Sequence, residues 1–314
     1  MSPEAVKRAL GSGLLAFPVT NFAADGAFDE TAYRANIAAN LAHRPAGLFV
    51  AGGTGEFFSL TQDECRRIVA AAVAVAAADG ATDEAGRVPI IAGIGYGTAM
   101  AVDFARQAEA AGADGVLVLP PYLMRTEQEG LFRHLDAICR AVGIAVIPYN
   151  RDNCIIAPDT LARLAERHAN LIGFKDGHGD VEQLVLTRQT LGDRLVYIGG
   201  MPTAEVYAVP YLAAGFSTYS SAVFNFIPRI AQRFYAAVRS GDRATTDDIL
   251  TRFFKPYLAL RNRRRGYAVS IVKAGMHVVG RAAGPVRPPL VDLTVTEEGE
   301  LRELINAVFG EAAG

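Results

Sequence analysis

The chain carries most of its positive charge as arginine, and of its four lysines, Lys7, Lys175, Lys255 and Lys273, one has unusual company. Lys175 ends the apolar run Leu171-Ile172-Gly173-Phe174 and precedes Asp176-Gly177. An amine desolvated among apolar walls loses stability in its charged form. Its pKa then falls toward the ~7–8 of catalytic lysines, and the free base can attack a carbonyl. Arginine cannot do this. The strand context alone suits equally a lysine that snorkels or one that pairs with Asp176, so the surrounding residues decide.

Several other apolar runs end in residues with chemistry of their own. Gly52-Gly53-Thr54-Gly55-Glu56 is a glycine turn whose backbone N–H groups, with the Thr54 hydroxyl, can cradle a carboxylate or a phosphate. By itself it reads as well as a tight strand-to-helix turn, with Glu56 favouring the start of the next helix. Tyr149 offers a phenol for proton transfer near a Schiff base, or is a core tyrosine with a satisfied hydroxyl; Tyr122, after Pro120-Pro121, has the same two readings. Gly199-Gly200 ends a further run. Ser217 and Ser220 are candidate hydroxyls for the polar middle of a substrate, and Arg151 a candidate partner for a distal carboxylate. Lysine, phenol and anion-binding turn at three strand ends form a far more specific set than any one of them.

The elements that must position these groups alternate. Apolar, β-branched runs at Leu14–Thr20, Gly47–Ala51, Pro89–Gly93, Gly115–Leu119, Ile144–Tyr149, Leu171–Lys175, Arg194–Ile198 and Phe216–Ser220 are each followed by a turn. Helical spacing follows at Thr31–Ala42, Gln62–Ala78, Ala99–Ala111, Glu127–Val142, Pro158–Arg167 and Val181–Leu191, with cap signals at Asp29, Thr61 and Thr98. Such alternation means parallel strands with crossover helices, and eight of them predict an α/β fold of the (β/α)8 TIM-barrel type, with catalytic groups at the C-terminal strand ends. An open doubly wound sheet would carry a glycine fingerprint after its first strand, where Pro18-Val19-Thr20 stands instead. Residues 1–221 are expected to form the catalytic barrel. Residues 222–314 are expected to form a helical C-terminal region, closing and extending it, with helices at Ile227–Arg239, Ala244–Tyr257, Gly266–Gly280 and Glu297–Phe309 and a turn-rich loop at 283–289.

A formal net charge of -2 gives no general basic field, so nucleic acid and anionic membrane are not expected partners. Three widely spaced cysteines, Cys65, Cys139 and Cys154, without CxxC spacing, argue for a reducing compartment and against structural zinc. Gly13–Val19 lacks a signal-peptide layout and Ile68–Ala78 is too short to span a bilayer, so a soluble, cytoplasmic protein is expected. Gly93-Ile94-Gly95-Tyr96-Gly97 lacks GxGxxG spacing and Arg261-Asn262-Arg263-Arg264-Arg265 reads as a solvated face or subunit contact. The histidines show no metal-ligand spacing, and only His178 falls near Lys175.

At these residues the chain resembles the dihydrodipicolinate synthase/N-acetylneuraminate lyase family of Schiff-base-forming (β/α)8 enzymes acting on 2-keto acids. The likeness runs from about Gly13 to Leu293, through Ala51–Leu60, Gly173–Gly177, Ser220–Pro228, Arg261–Arg263, Gly266–Gly275 and Ala283–Arg287. It implies Lys175 as the Schiff-base lysine, Tyr149 as the acid/base phenol, and Thr54 with Gly53 and Gly55 as the site of the keto acid's carboxylate. It also implies that Tyr122 assists a proton relay across a subunit contact in a homo-oligomer, commonly a tetramer, and that no metal or organic cofactor is needed.

Two departures from the synthase pattern point to the family's sugar-acid dehydratase branch. Gly53-Thr54 replaces two consecutive threonines, and Cys154 stands where the synthase has an arginine five residues after its tyrosine. An aldolase using the same lysine, a synthase condensing pyruvate with aspartate semialdehyde, and a non-catalytic sugar-acid sensor are the rival readings; a sensor has no need of a buried amine.

Overall fold

The computed structural model describes residues 1–79, 86–121 and 123–310. Its eight strands run in parallel and close into a barrel in chain order, β1 pairing with both β2 and β8. The chain runs α1 Pro3–Gly11, β1 Leu15–Ala16, α2 Glu30–Leu41, β2 Gly47–Val50, α3 Gln62–Ala78, β3 Ile90–Ile94, α4 Thr98–Ala110, β4 Gly115–Val118 and α5 Gln128–Ala141. It continues through β5 Ala145–Asn150, α6 Pro158–Arg167, β6 Gly173–Asp176, α7 Val181–Leu191, β7 Val196–Gly199, α8 Ala208–Ala213, β8 Thr218–Ser221 and α9 Pro228–Ser240. After α9 come α10 Arg243–Ile249, α11 Lys255–Arg261, α12 Tyr267–Val278 and α13 Val295–Phe309. The expected TIM barrel and its C-terminal helices are both present.

The strands read as continuous apolar runs because both faces are covered, by the barrel interior and by the helix ring. β2, β3, β4 and β5 are buried at every residue. The helices bury one stripe each: α5 turns Leu131, Leu135, Ile138 and Cys139 inward at three- and four-residue spacing. Asp29 caps α2 and Thr61 forms a full capping box with Glu64, as their spacing predicts. Thr98 does not cap α4; Gly97 does, and the Thr98 hydroxyl instead lies 3.0 Å from His134 Nδ1.

Differences from the sequence expectation have local causes. The first strand leaves the ladder after Ala16 rather than Thr20, because Pro18 has no N–H to donate. Beyond it a side chain replaces the missing ladder: Asn225 accepts from Val19 N at 3.2 Å and donates to Phe17 O at 2.9 Å. The expected Ala244–Tyr257 helix is divided by a π turn at Leu250–Phe254, next to Pro256, whose missing N–H interrupts the regular pattern. Two further helices, α1 and α8, were not legible as periodic segments. α1, capped by Ser2 with Pro3 in its first turn, packs on β5 and β7, and the Met1 ammonium reaches Asp114 at 3.0 Å. The loop at 283–289 does lie between the last two helices. Among the described residues no helix is long and apolar enough to cross a membrane.

Candidate active site

Strand pairing brings the two central groups together. Tyr149 of β5 and Lys175 of β6 are register partners, so their side chains share one face of the sheet. Their successors, Asn150 and Asp176, are partners on the opposite face, where Asn150 Nδ2 donates to Asp176 Oδ1 at 2.6 Å. Asp176 also accepts from Tyr211 Oη at 2.6 Å and from Gly179 N at 2.9 Å. Asp176 is therefore fully engaged on the outside of the barrel, and the Lys175–Asp176 pair that the sequence permitted does not form.

Lys175 is buried, 5% exposed, with Nζ 4.0 Å from the Tyr149 ring centroid and 4.3 Å from that of Phe17. Burial, reinforced by the nearby Arg151 cation, holds its pKa well below the ordinary lysine value. Ring faces return to an ammonium about 0.5–2 kcal/mol. Desolvation costs several kcal/mol, so burial wins. Glycine makes the room: a Cβ on Gly200 would stand 2.7 Å from Lys175 Cε, and one on Gly177 would stand 2.7 Å from Tyr149 Oη.

The Tyr149 hydroxyl donates to Gly200 O at 2.7 Å and accepts from Arg151 Nη1 at 3.0 Å. Burial pushes its pKa up while the guanidinium pulls back. Arg151 is itself steadied by Asp152, with Nε–Oδ2 at 3.1 Å, in a tight turn closed by the Arg151–Cys154 bridge.

These groups open into a cavity of about 980 Å³ at the C-terminal strand ends. Its wall includes Gly53, Thr54, Tyr149, Arg151, Lys175, Gly200 and Ser220 from the sequence-derived set. Two members of that set fall elsewhere. Gly55 is behind the turn, its carbonyl accepting from Thr20 Oγ1 at 2.7 Å. Ser217 precedes β8, at the far end of the strand from the cavity, because the ladder begins only at Thr218; its carbonyl takes the Tyr235 hydroxyl. Tyr122 lies outside the described residues. His178 is exposed and away from the cavity wall.

Other wall residues carried no sequence signal of their own: Phe17, and Tyr257, Ala268 and Val269 from the C-terminal helices. Behind the glycine turn, Glu56 Oε1 pairs with Lys273 Nζ at 2.6 Å, both nearly inaccessible to solvent. Lys273, inside Ile271-Val272-Lys273-Ala274, has the same kind of apolar flanks that singled out Lys175. Arg261, first of the arginine run, donates to Pro202 O and Thr203 Oγ1 at the cavity edge, while Arg263 pairs with Glu300.

The model of the dihydrodipicolinate synthetase family matches residues 11–308. The chain belongs to that family. Within it, the chain is 57% identical over 305 residues to a Rhizobium rhizogenes protein named probable 5-dehydro-4-deoxyglucarate dehydratase, covering 97% of this chain and 98% of the relative. It is 58% identical over 305 residues to the Bradyrhizobium diazoefficiens protein of the same name, with coverage of 97% and 95%. Among solved structures, dihydrodipicolinate synthase from Bacillus clausii superposes with a TM-score of 0.84 at 26% identity, over 96% of this chain and 99% of that one. The chloride-inhibited synthase from Acinetobacter baumannii, complexed with pyruvate, gives a TM-score of 0.80 at 26% identity, over 94% and 98%.

Proposed function

We propose that this enzyme is a hydro-lyase, a decarboxylating dehydratase that converts 5-dehydro-4-deoxy-D-glucarate to 2,5-dioxopentanoate, CO2 and water through a Schiff base on Lys175. The observation that carries the reading is the desolvated Lys175 amine, set beside the Tyr149 phenol by strand register and facing the cavity without a carboxylate partner among the described residues. The names of the relatives, at well over half identity across nearly the whole chain, support the substrate.

In this reading Lys175 Nζ attacks the C5 ketone and water leaves, giving an iminium that acidifies C4. Loss of a C4 proton forms an enamine. The enamine expels the C3 hydroxyl, protonated by Tyr149 or a water it holds, which leaves C3=C4 conjugated with the iminium. Breaking C1–C2 releases CO2, and the electron pair runs through the conjugated system to nitrogen. The C2 enol becomes an aldehyde, C4 is reprotonated, and hydrolysis frees the product and Lys175.

The carboxylate next to the ketone is assigned to Thr54 and the Gly53 turn, the distal carboxylate to Arg151, and the polar middle to Ser220. The guanidinium already donates to Tyr149 Oη, so Arg151 can also stabilise the phenolate that forms when Tyr149 gives up its proton. The oligomer and the Tyr122 relay belong to the same reading, supported by the exposed apolar side chains of Leu123, on the cavity wall, and of Met124 next to it in the chain, at 89% and 68%. Light scattering across a dilution series tests the oligomer.

The deciding experiment is an NMR time course of the protein with 5-dehydro-4-deoxyglucarate beside a Lys175→Ala control. CO2 and 2,5-dioxopentanoate from the wild type alone are the expected result. Pyruvate and tartronate semialdehyde would make it an aldolase on the same lysine, and absence of turnover would remove the substrate assignment.

A further inference from the structure

We infer that the buried Glu56–Lys273 pair is a positioning device through which the C-terminal extension sets the shape of the anion-binding turn. The inference rests on the Schiff-base reading for what the turn binds, and on geometry for how it is held. Glu56 follows Thr54-Gly55 directly and sits at φ 58, a left-handed conformation that a glutamate keeps only when its surroundings impose it.

What imposes it comes from α12 and the loop after it. Lys273 Nζ meets Glu56 Oε1 at 2.6 Å, and Arg287 N donates to Glu56 Oε2 at 2.8 Å. Lys273 also donates to Pro285 O at 2.7 Å, so one ammonium joins the turn to the loop. Phe22 lies under both cations, 4.4 Å from Lys273 Nζ and 4.0 Å from Arg287 Cζ. The loop is pinned in turn to the segment after β1 and to α2. Asn21 and Asn36 both donate to Ala282 O, at 2.7 and 2.6 Å, and a Cβ on Gly284 would come within 1.7 Å of Phe22 O. From the other side, Thr20 Oγ1 holds Gly55 O at 2.7 Å.

The backbone of the turn is thus fixed on both flanks by partners distant in sequence, while Gly53 and Thr54 face the cavity. A pair needed only for stability could be replaced by packed apolar side chains. Its placement immediately behind the anion-binding residues gives the charges a second consequence, because moving Glu56 moves Thr54.

The test uses the full chain as wild type, Lys273→Met, Glu56→Gln and the double variant Glu56→Gln/Lys273→Met, the last restoring charge balance in case a single variant folds poorly. Each is incubated with pyruvate and borohydride. Lys175 Nζ adds to the pyruvate ketone, water leaves, and hydride from borohydride reduces the C=N bond, fixing an alkylated lysine read by mass spectrometry. Amide exchange is followed in parallel over residues 52–58.

The expected result is a rise of ten-fold or more in half-saturating pyruvate, with the same maximal labelling, in the single and double variants. Amide exchange at 52–58 should rise ten-fold or more while β4 and β5 keep their protection. Half-saturation and exchange within two-fold of wild type in the folded double variant would overturn the inference. So would exchange rising evenly around the barrel, the mark of a merely structural pair. A wild type that pyruvate and borohydride leave unlabelled at Lys175 would defeat the Schiff-base reading instead, and amide exchange at 52–58 would still decide this one.

Discussion

Two buried lysines sit within one barrel and its extension, in different electrostatic surroundings. Lys273 is 1% exposed and Lys175 5% exposed, both with apolar flanks in sequence and both with an aromatic ring near 4 Å. Lys273 meets a carboxylate at 2.6 Å, so its charge is matched where it lies. Among the described residues Lys175 has rings, a cavity and the Arg151 cation in place of a carboxylate. Burial lowers the pKa of both, but at Lys273 the Glu56 carboxylate pulls back, whereas at Lys175 Arg151 pushes further in the same direction. What separates Lys175 in the proposed function is burial without a counterion among the described residues, at the open end of the barrel, the setting in which a free amine can attack a carbonyl.

The sharpest way to break this comparison is to remove each amine in turn. Lys175→Met should lower turnover by at least ~10⁴-fold, since no other lysine lines the cavity among the described residues, with denaturant stability equal to or above wild type. Stability should also change its pH dependence. A lysine depressed in the folded state binds fewer protons there than in the unfolded chain, so it destabilises below its folded pKa, and that penalty is relieved as pH rises toward 10.5. The variant should lack this rising slope in urea titrations run at several pH values.

Tyr149→Phe tests whether the phenol serves the chemistry or the packing. Turnover should fall by about 10²–10⁴-fold while borohydride trapping at Lys175 persists, because proton transfer is lost and the amine is not. Equal loss of trapping would assign Tyr149 to imine formation itself.

For Lys273→Met the sign reverses. Leaving Glu56 buried without its counterion should cost about 3–5 kcal/mol of stability in a urea unfolding curve. The double variant with Glu56→Gln should recover much of that loss.

The finest probe of the field at Lys175 is the pH dependence of Arg151→Met. Its cation lowers the Lys175 pKa, so removing it should move the acidic limb of the pH–rate profile to higher pH. An unmoved limb would assign Arg151 to the substrate alone.

Much of the barrel was legible in the chain. Runs such as Val116–Leu119 and Ala145–Ile147 are apolar at every position because a parallel strand is covered on both faces, and the helices between them carry their stripes and caps. Parts of the site were legible too, because a strand's last residues face the open end of a barrel whatever the loops do. Ser217 lies near the start of the Phe216–Ser220 run, so the direction of a parallel strand puts it at the closed end and leaves Ser220 at the cavity. Gly55 lies in the same glycine turn, but its neighbours, rather than it, face the cavity.

What the sequence determined by itself was therefore periodic or local: the alternation of strand and helix, the Asp29 cap and Thr61 capping box, the glycine turn, and a lysine ending an apolar run. Only the tertiary structure decided which of two apolar-flanked lysines is left without a counterion among the described residues. Glu56 reaches Lys273 through the docking of a C-terminal helix onto the barrel, and Asp176 is turned away from Lys175 by the two-residue period of β6 and held outside by Asn150 and Tyr211. The physical reason is range. Propensity and periodicity act between near neighbours in the chain, while the field at an amine is set by charges within a few ångströms in space, wherever in the sequence they originate.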